Sequence, residues 1–105
     1  MAQFDVYRNR HAETRTLFPL LLDVQTSLLD QLESRWVIPL TKSRAFMRDT
    51  LQHVTPIVDF EDSKYLILTP QLAAIRSKDL GAVAGSLVQH RDAIVASMDF
   101  MISGF

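Results

Sequence analysis

The feature that most constrains the fold is a helical pattern that runs from Ser86 to the last residue, Phe105. Ser86 is followed three residues later by Gln89, which matches a capping box and predicts that the helix begins there. Gly104 stands where a left-handed C-terminal cap is expected. Apolar residues recur at helical spacing on two stripes, the first with Leu87, Ile94, Met98 and Met101 and the second with Val88, Val95 and Ile102. One stripe can pack on the rest of the chain, and the other is available to a partner.

Almost everything before this helix has the short alternating pattern of β-strands. The strongest pair is a hairpin whose β-branched and aromatic content predicts two central strands, joined by the turn Glu61, Asp62 and Ser63. Strands are predicted at Gln3–Arg8, Leu17–Gln25, Arg35–Leu40, Thr55–Phe60, Lys64–Thr69 and Gln71–Ile75. The intervening segments are predicted to be a polar loop at Arg8–Thr16, an excursion or short helix at Thr41–His53, and a loop at Arg76–Gly85. Thr26–Ser34 could be a helical turn, but its adjacent leucines among polar residues favour a wide turn or an edge segment with exposed leucines. This order predicts a mainly β (α+β) protein, a small antiparallel barrel or bent sheet with one C-terminal α-helix.

Length and composition exclude several classes of protein. The 105 residues fit one domain, 1–105, and the net charge of −1 gives no global field that would attract nucleic acid. Cysteine is absent, which excludes disulfides and thiol chemistry, and no signal peptide or membrane span is recognisable, so we expect a cytoplasmic protein. The apolar content of 48% with six Phe favours a homodimer, although a well-filled monomer core would also use these residues.

No constellation of catalytic residues stands out. His11, His53 and His90 are dispersed without metal-ligand spacing, and the chain has neither a nucleophile elbow nor a glycine-rich phosphate loop. We therefore expect no metal, no cofactor and no enzymatic activity. A metal-free ribonuclease remains an alternative, because it needs only a general base, a general acid and arginines on the phosphate.

Two groups of charged residues could serve a partner. Arg8, Arg10 and Arg15 lie in the first loop and Arg44 and Arg48 in the excursion, where they are either ordinary solvated charges or a binding site for an acidic segment. Asp99 lies near the end of the helix, where the helix dipole disfavours an anion. With Phe105 and the α-carboxylate it could form an acidic, apolar knob that suits an arginine of a partner, although a tolerated surface aspartate is equally ordinary.

Several blocks, in the same order over nearly the whole length, resemble the CcdB toxins of toxin–antitoxin modules. DVQ, VIPL and the penultimate glycine are the most diagnostic pieces. The blocks are QFDVY (Gln3–Tyr7), DVQTSLLD (Asp23–Asp30), RWVIPL (Arg35–Leu40), TPIVDFED (Thr55–Asp62), LTPQLAAI (Leu68–Ile75) and the ending MDFMISGF (Met98–Phe105).

The resemblance implies a dimeric toxin with an SH3-like barrel that poisons DNA gyrase without performing chemistry itself. In that family the paired helix ends enter the gyrase A subunit dimer and trap the enzyme on cleaved DNA, and a disordered segment of the antitoxin CcdA wraps the toxin. The gyrase-binding residues implied here are Leu28, Leu29, Asp99, Ile102, Ser103, Gly104 and Phe105. The resemblance implies no direct nucleic-acid binding by the toxin alone and no membrane. A MazF-like endoribonuclease shares the barrel and is the alternative, and a β-barrel interaction module without toxicity is a third possibility.

This chain departs from the best-known plasmid pattern at its end. Ser103 stands where that pattern has tryptophan, Asp99 stands where it has an amide, and Phe105 replaces a smaller aliphatic residue. The loop between Arg8 and Leu17 is about three residues longer by that comparison, so we expect the antitoxin-facing loop to differ.

Overall fold

The structure is a computed structural model that describes residues 2–42 and 54–104. Most of the predicted excursion Thr41–His53 lies outside the described residues, as do His53, Arg44, Arg48 and Phe105. The described chain forms seven strands and one α-helix. The strands are β1 (Asp5–Asn9), β2 (Leu20–Asp23), β3 (Ser34–Thr41), β4 (Ile57–Phe60), β5 (Ser63–Ile67), β6 (Ala73–Arg76) and β7 (Leu80–Ser86), and the helix is α1 (Arg91–Ser103). Short 3-10 helices occupy Ser27–Leu29, Thr69–Gln71, Ser77–Asp79 and Val88–His90.

The strands form one antiparallel sheet in the order β4-β5-β3-β2-β1-β7, and β6 also pairs with β3. The predicted hairpin is confirmed, since Phe60 pairs with Ser63 and the two residues between them, Glu61 and Asp62, have positive φ angles of 50° and 62°. Two consecutive residues with positive φ are typical of the tight type I′ turn, whose twist matches that of the strands. The prediction that both hairpin strands are central is wrong, because β4 lies at one end of the strand order.

Both faces of the sheet are covered, which explains the run of three leucines in β2. Leu20 and Leu22 point into the main core, where Val6, Ile38, Leu40, Ile67 and Ile94 are also fully buried. Leu21, on the opposite face, packs with Tyr7, Val37 and Leu80 in a second, smaller cluster. Successive residues of a strand point to opposite faces, so an uninterrupted apolar run fits a strand that is buried on both sides.

The sheet curls until its two ends meet. The ring of Phe60, at the end of β4, lies so close to Gly85 in β7 that a Cβ atom there would be 2.9 Å from it. Arg8 of β1 makes a bidentate ion pair with Glu61 in the hairpin turn, with Nη1–Oε1 at 2.9 Å and Nη2–Oε2 at 2.5 Å. The result is a curled antiparallel half-barrel with a single C-terminal helix, which confirms the predicted fold class.

Three predicted segments differ from the structure. Arg76–Gly85 is not a loop, because β7 runs from Leu80 to Ser86 beside β1. The helix does not begin at Ser86 with a capping box. Ser86 Oγ accepts the backbone N–H of Val88, two residues on, at 3.1 Å, and a 3-10 turn then precedes the start of α1 at Arg91. The serine thus satisfies a nearer amide than the capping box requires. The strand predicted from Leu17 begins only at Leu20, after Pro19, which lacks a ladder donor.

Candidate partner-binding surface

The helix is fixed to the sheet through its middle. Ile94 is fully buried in the main core, and Val95 and Met98 pack against it. Ser97 is 1% exposed. Its hydroxyl donates to the carbonyl of Ile94 at 2.7 Å and lies 2.9 Å from the hydroxyl of Thr69. This buried polar pair ties α1 to the 3-10 turn Thr69–Gln71, and nothing in the sequence pattern marked it.

Beyond Met98 the helix leaves the core. Met101, Ile102, Ser103 and Gly104 are all exposed, with Ile102 at 85%. The predicted C-terminal cap is confirmed, since Gly104 has a φ of 78° and donates its N–H to the carbonyl of Phe100 at 2.9 Å. Among residues 2–42 and 54–104, no atom would lie within 4 Å of a Cβ on Gly104, so these residues leave this end of the helix uncovered.

The two predicted stripes of the helix differ in burial. On the first stripe Leu87 and Ile94 are fully buried and Met101 is 49% exposed. On the second, Val88 and Ile102 are 56% and 85% exposed. The second stripe is therefore exposed at both ends of the helical segment, whereas Val95 in its middle packs against the main core, so only its ends are available to a partner.

Asp99 lies on the exposed side of the same helix, about one turn before the cap. Its backbone carbonyl accepts the hydroxyl of Ser103 at 2.8 Å. The residue that replaces the expected tryptophan is thus turned back onto the helix by a local hydrogen bond. The last turn of α1 has no basic side chain, so Asp99 stands near the negative end of the helix dipole.

The predicted wide turn with exposed leucines is a 3-10 turn at Ser27–Leu29, which we call the leucine turn. Leu28 is 92% exposed and Leu29 is 46% exposed. Thr26 caps the turn, since its side chain accepts the N–H of Leu28 at 3.4 Å. Two neighbouring leucines are thus presented to solvent on one short segment.

A buried ion pair stands behind this turn. Arg35 and Asp23 are both fully buried, and Nε and Nη2 of Arg35 lie 2.9 and 2.8 Å from Oδ2 of Asp23. Oδ1 of Asp23 accepts the backbone N–H of Gln25 at 3.0 Å. Burial raises the pKa of Asp23 above its usual value, although the hydrogen bonds from Gln25 and Arg35 oppose the shift. Both residues belong to blocks quoted for the family resemblance, but their pairing was not predicted.

The leucine turn and the helix end are held by separate networks. The leucine turn is tied to Gln3, Gln25 and Arg35, whereas the helix is fixed through Ser97 and Thr69. The structure thus shows both predicted parts of the surface as exposed, each with its own support.

The arginines of the first loop are in different situations. Arg8 is held by Glu61, and this hydrogen bond lowers the pKa of the glutamate. Arg10 is exposed and makes one long contact, Nη1 to the carbonyl of Lys78 at 3.4 Å, and Arg15 is exposed. Beside this loop is an open groove of about 300 Å³, lined by Asn9, His11, Phe18, Val37, Ala74 and neighbouring residues.

Within residues 2–42 and 54–104, no group of three or more His, Asp or Glu side chains is placed to hold a metal ion. Over the same ranges, no helix has the length and apolar character needed to cross a membrane.

The sequence matches a known protein-family model over nearly its whole length. The model described as CcdB protein matches residues 3–104, which is nearly the whole chain. The match includes β1 to β7, the leucine turn and α1 through Gly104. The chain therefore belongs to the CcdB family, the toxins of toxin–antitoxin modules.

Proposed function

We propose that this protein binds the A subunit of DNA gyrase through the end of α1 and the leucine turn, and so traps gyrase on cleaved DNA. The observation that carries the proposal is the exposed helix end. From Met101 to Gly104 every residue is exposed, and Ile102 is 85% exposed. Isolated apolar residues are common on surfaces, but this chain belongs to a family of toxins and also exposes the apolar pair Leu28 and Leu29 on another segment.

The chemistry of this surface suits a basic, partly apolar partner. Ile102 and Leu28 offer apolar area at the centre of a contact, and Asp99 offers a carboxylate to an arginine. Ser103 replaces the aromatic residue of the best-known pattern, and we propose that Phe105 supplies part of the apolar contact that tryptophan would make. A binding role uses these exposed residues, whereas a catalytic role would leave them without a function.

We propose that the protein acts as a homodimer, which would present two helix ends to the two-fold symmetric gyrase A dimer. Large apolar side chains outside the helix end support association, since Trp36 and Val83 are 52% and 58% exposed. Sedimentation equilibrium of the purified protein tests this. A species of twice the chain mass of 11.9 kDa is expected, and a monomer at micromolar concentration would contradict it.

We further propose that a CcdA-like antitoxin with a disordered acidic segment neutralises the toxin at the first loop. Arg10 and Arg15 are exposed there, and the adjoining groove offers apolar contact to an extended segment. Arg8 contributes less in this proposal because Glu61 already engages its guanidinium. Arg15→Glu should weaken the antitoxin complex and leave gyrase binding unchanged. Equal antitoxin affinity for Arg15→Glu and wild type would show that this arginine is not used.

Calorimetric titration of the gyrase A breakage–reunion domain tests the main proposal. Ile102→Ala should weaken binding at least about tenfold, as expected for an apolar residue at the centre of an interface. The matched control is Ile57→Ala, the same chemical change at a residue of β4 that is 48% exposed. Equal affinities for the two variants would refute the assignment of the helix end. The ribonuclease alternative is not favoured by the family match, and cleavage of RNA by the purified protein in the absence of gyrase would revive it.

A further inference from the structure

Packing holds the leucine turn only in part, through Leu29, which is 46% exposed. None of the residues Ser27–Leu29 is buried, and Leu28, its most prominent side chain, is 92% exposed. Its internal hydrogen bonds, such as Leu29 N–H to Thr26 O at 3.0 Å, shape the turn but do not connect it to the sheet. A surface segment with few buried apolar contacts opens easily, so the orientation of the two leucines depends largely on polar ties.

Two of these ties converge on the buried guanidinium of Arg35. Just after the turn, Asp30 Oδ1 accepts from Arg35 Nη1 at 3.1 Å. Just before it, the carbonyl of Gln25 lies 3.4 Å from Arg35 Nη2. The side chain of Gln25 then reaches into the turn, where Nε2 donates to the carbonyl of Leu29 at 3.0 Å while Oε1 accepts the N–H of Trp36 at 3.1 Å.

The guanidinium is itself immobile. Asp23 holds both Nε and Nη2, and neither side chain has any exposed surface. Because the guanidinium is planar and its donors have fixed directions, holding one edge on Asp23 also fixes where Nη1 points. Asp30 is only partly covered, with 42% of its side chain exposed, so this contact joins the rigid interior to a surface segment.

We propose that Arg35, acting through Asp30 and Gln25, is a positioning residue that sets the orientation of Leu28 and Leu29 for gyrase binding. This inference rests on the proposed function, and it adds a residue that no partner can touch, since Arg35 is fully buried. Preorganisation of this kind increases affinity because the turn does not have to be ordered when the complex forms.

Asp30→Ala is the sharpest test, because it removes the side-chain tie between Arg35 and the end of the turn and leaves the buried Arg35–Asp23 pair and the Gln25 tie intact. Affinity for the gyrase A breakage–reunion domain should fall about tenfold, while the melting temperature stays close to wild type. Asp30→Asn retains an oxygen acceptor for Nη1 and should stay within about twofold of wild type. The matched control is Asp79→Ala, whose carboxylate pairs with Arg76 at 3.0 Å and is 44% exposed, and it should bind gyrase like wild type.

A double-mutant cycle distinguishes a positioning role of Asp30 from a direct contact of Asp30 with gyrase. If Asp30 acts through the leucines, Asp30→Ala should cause no further loss in a protein that already carries Leu28→Ala and Leu29→Ala. A full tenfold loss in that background would overturn the inference and point to a direct contact of Asp30 with gyrase. Unchanged affinity of Asp30→Ala, in an assay where Ile102→Ala binds at least about tenfold more weakly than wild type, would overturn the inference alone. A wild-type protein that fails to bind gyrase would overturn the proposed function and this inference together.

Discussion

Substituting Asp99 by lysine should change stability and binding in opposite directions. Asp99 lies near the C-terminal end of α1, about one turn before the cap at Gly104, and that turn has no basic side chain. A cation there interacts favourably with the helix dipole, whereas the native carboxylate does not. Helical side chains lean toward the N-terminus, away from the last carbonyls, so the gain should be near the lower end of the usual range. We expect about 0.5 kcal/mol of added stability, or about 2–4 °C in melting temperature.

Binding to gyrase should weaken at the same time. The proposed pairing of the exposed Asp99 carboxylate with an arginine of the gyrase A subunit becomes a repulsion between like charges in Asp99→Lys. The expected loss is about 1–3 kcal/mol, which is about 5- to 150-fold in Kd. Calorimetric titration at two salt concentrations measures this, and part of the difference from wild type should disappear at high salt because exposed charges are screened.

Asp92→Lys is the matched control, since it makes the same charge change on the same helix. Asp92 lies in the first turn, where the dipole favours an anion, and its side chain is fully exposed. This variant should lose a few tenths of a kcal/mol of stability and bind gyrase like wild type. Equal effects of both variants on Kd would show that net charge, and not a contact at Asp99, governs binding. An Asp99→Lys protein that binds like wild type would refute the arginine pairing.

Three further predictions concern other parts of the molecule. Leu28→Ala should change the unfolding free energy by less than about 0.5 kcal/mol, because the side chain is 92% exposed, yet it should weaken gyrase binding by more than about 1 kcal/mol. Gly81→Ala should lower stability by about 1–3 kcal/mol in urea unfolding, since a Cβ there would lie 2.5 Å from the backbone carbonyl oxygen of Arg8; an unchanged urea midpoint would contradict this. Burial, reinforced by the Asp5 and Asp23 carboxylates, raises the pKa of Tyr7. The stability that the neutral Tyr7 hydroxyl contributes is therefore complete below about pH 10 and is lost as pH rises through the raised pKa. Wild type should therefore lose stability relative to Tyr7→Phe above about pH 10, and parallel pH profiles of the two proteins would contradict this.

Local patterns predicted much of the fold. The hairpin at Glu61 and Asp62 was predicted because two β-rich runs flank a short acidic turn, and the helix cap at Gly104 because glycine adopts a positive φ without steric cost. Strand β7 was missed because Gly81 and Gly85 were interpreted as signs of a loop. Both glycines are instead required by close approach, to the carbonyl of Arg8 and to the ring of Phe60, and both neighbours are distant in sequence.

The residues of the candidate site were likewise predictable only in part. The exposure of Leu28, Leu29 and Ile102 was predictable, because the two leucines stand among polar residues of a turn and Ile102 lies at the far end of the second stripe of the helix. The network behind the leucine turn was not predictable, because Arg35 was interpreted as part of a strand and its partner Asp23 lies on another strand. Pairing between buried charges depends on strand register, which becomes known only once the sheet is assembled.

If the exposed helix end traps gyrase on cleaved DNA, as proposed, broken plasmid DNA should accumulate. The most direct measurement is the amount of linear DNA that accumulates when supercoiled plasmid is incubated with gyrase, ATP and this protein. We predict linear DNA with wild type and with Asp92→Lys, and none above the gyrase-only level after deletion of Ser103–Phe105, with circular dichroism confirming that the truncated protein is folded. Equal amounts of linear DNA from the folded, truncated protein and from wild type would contradict the claim.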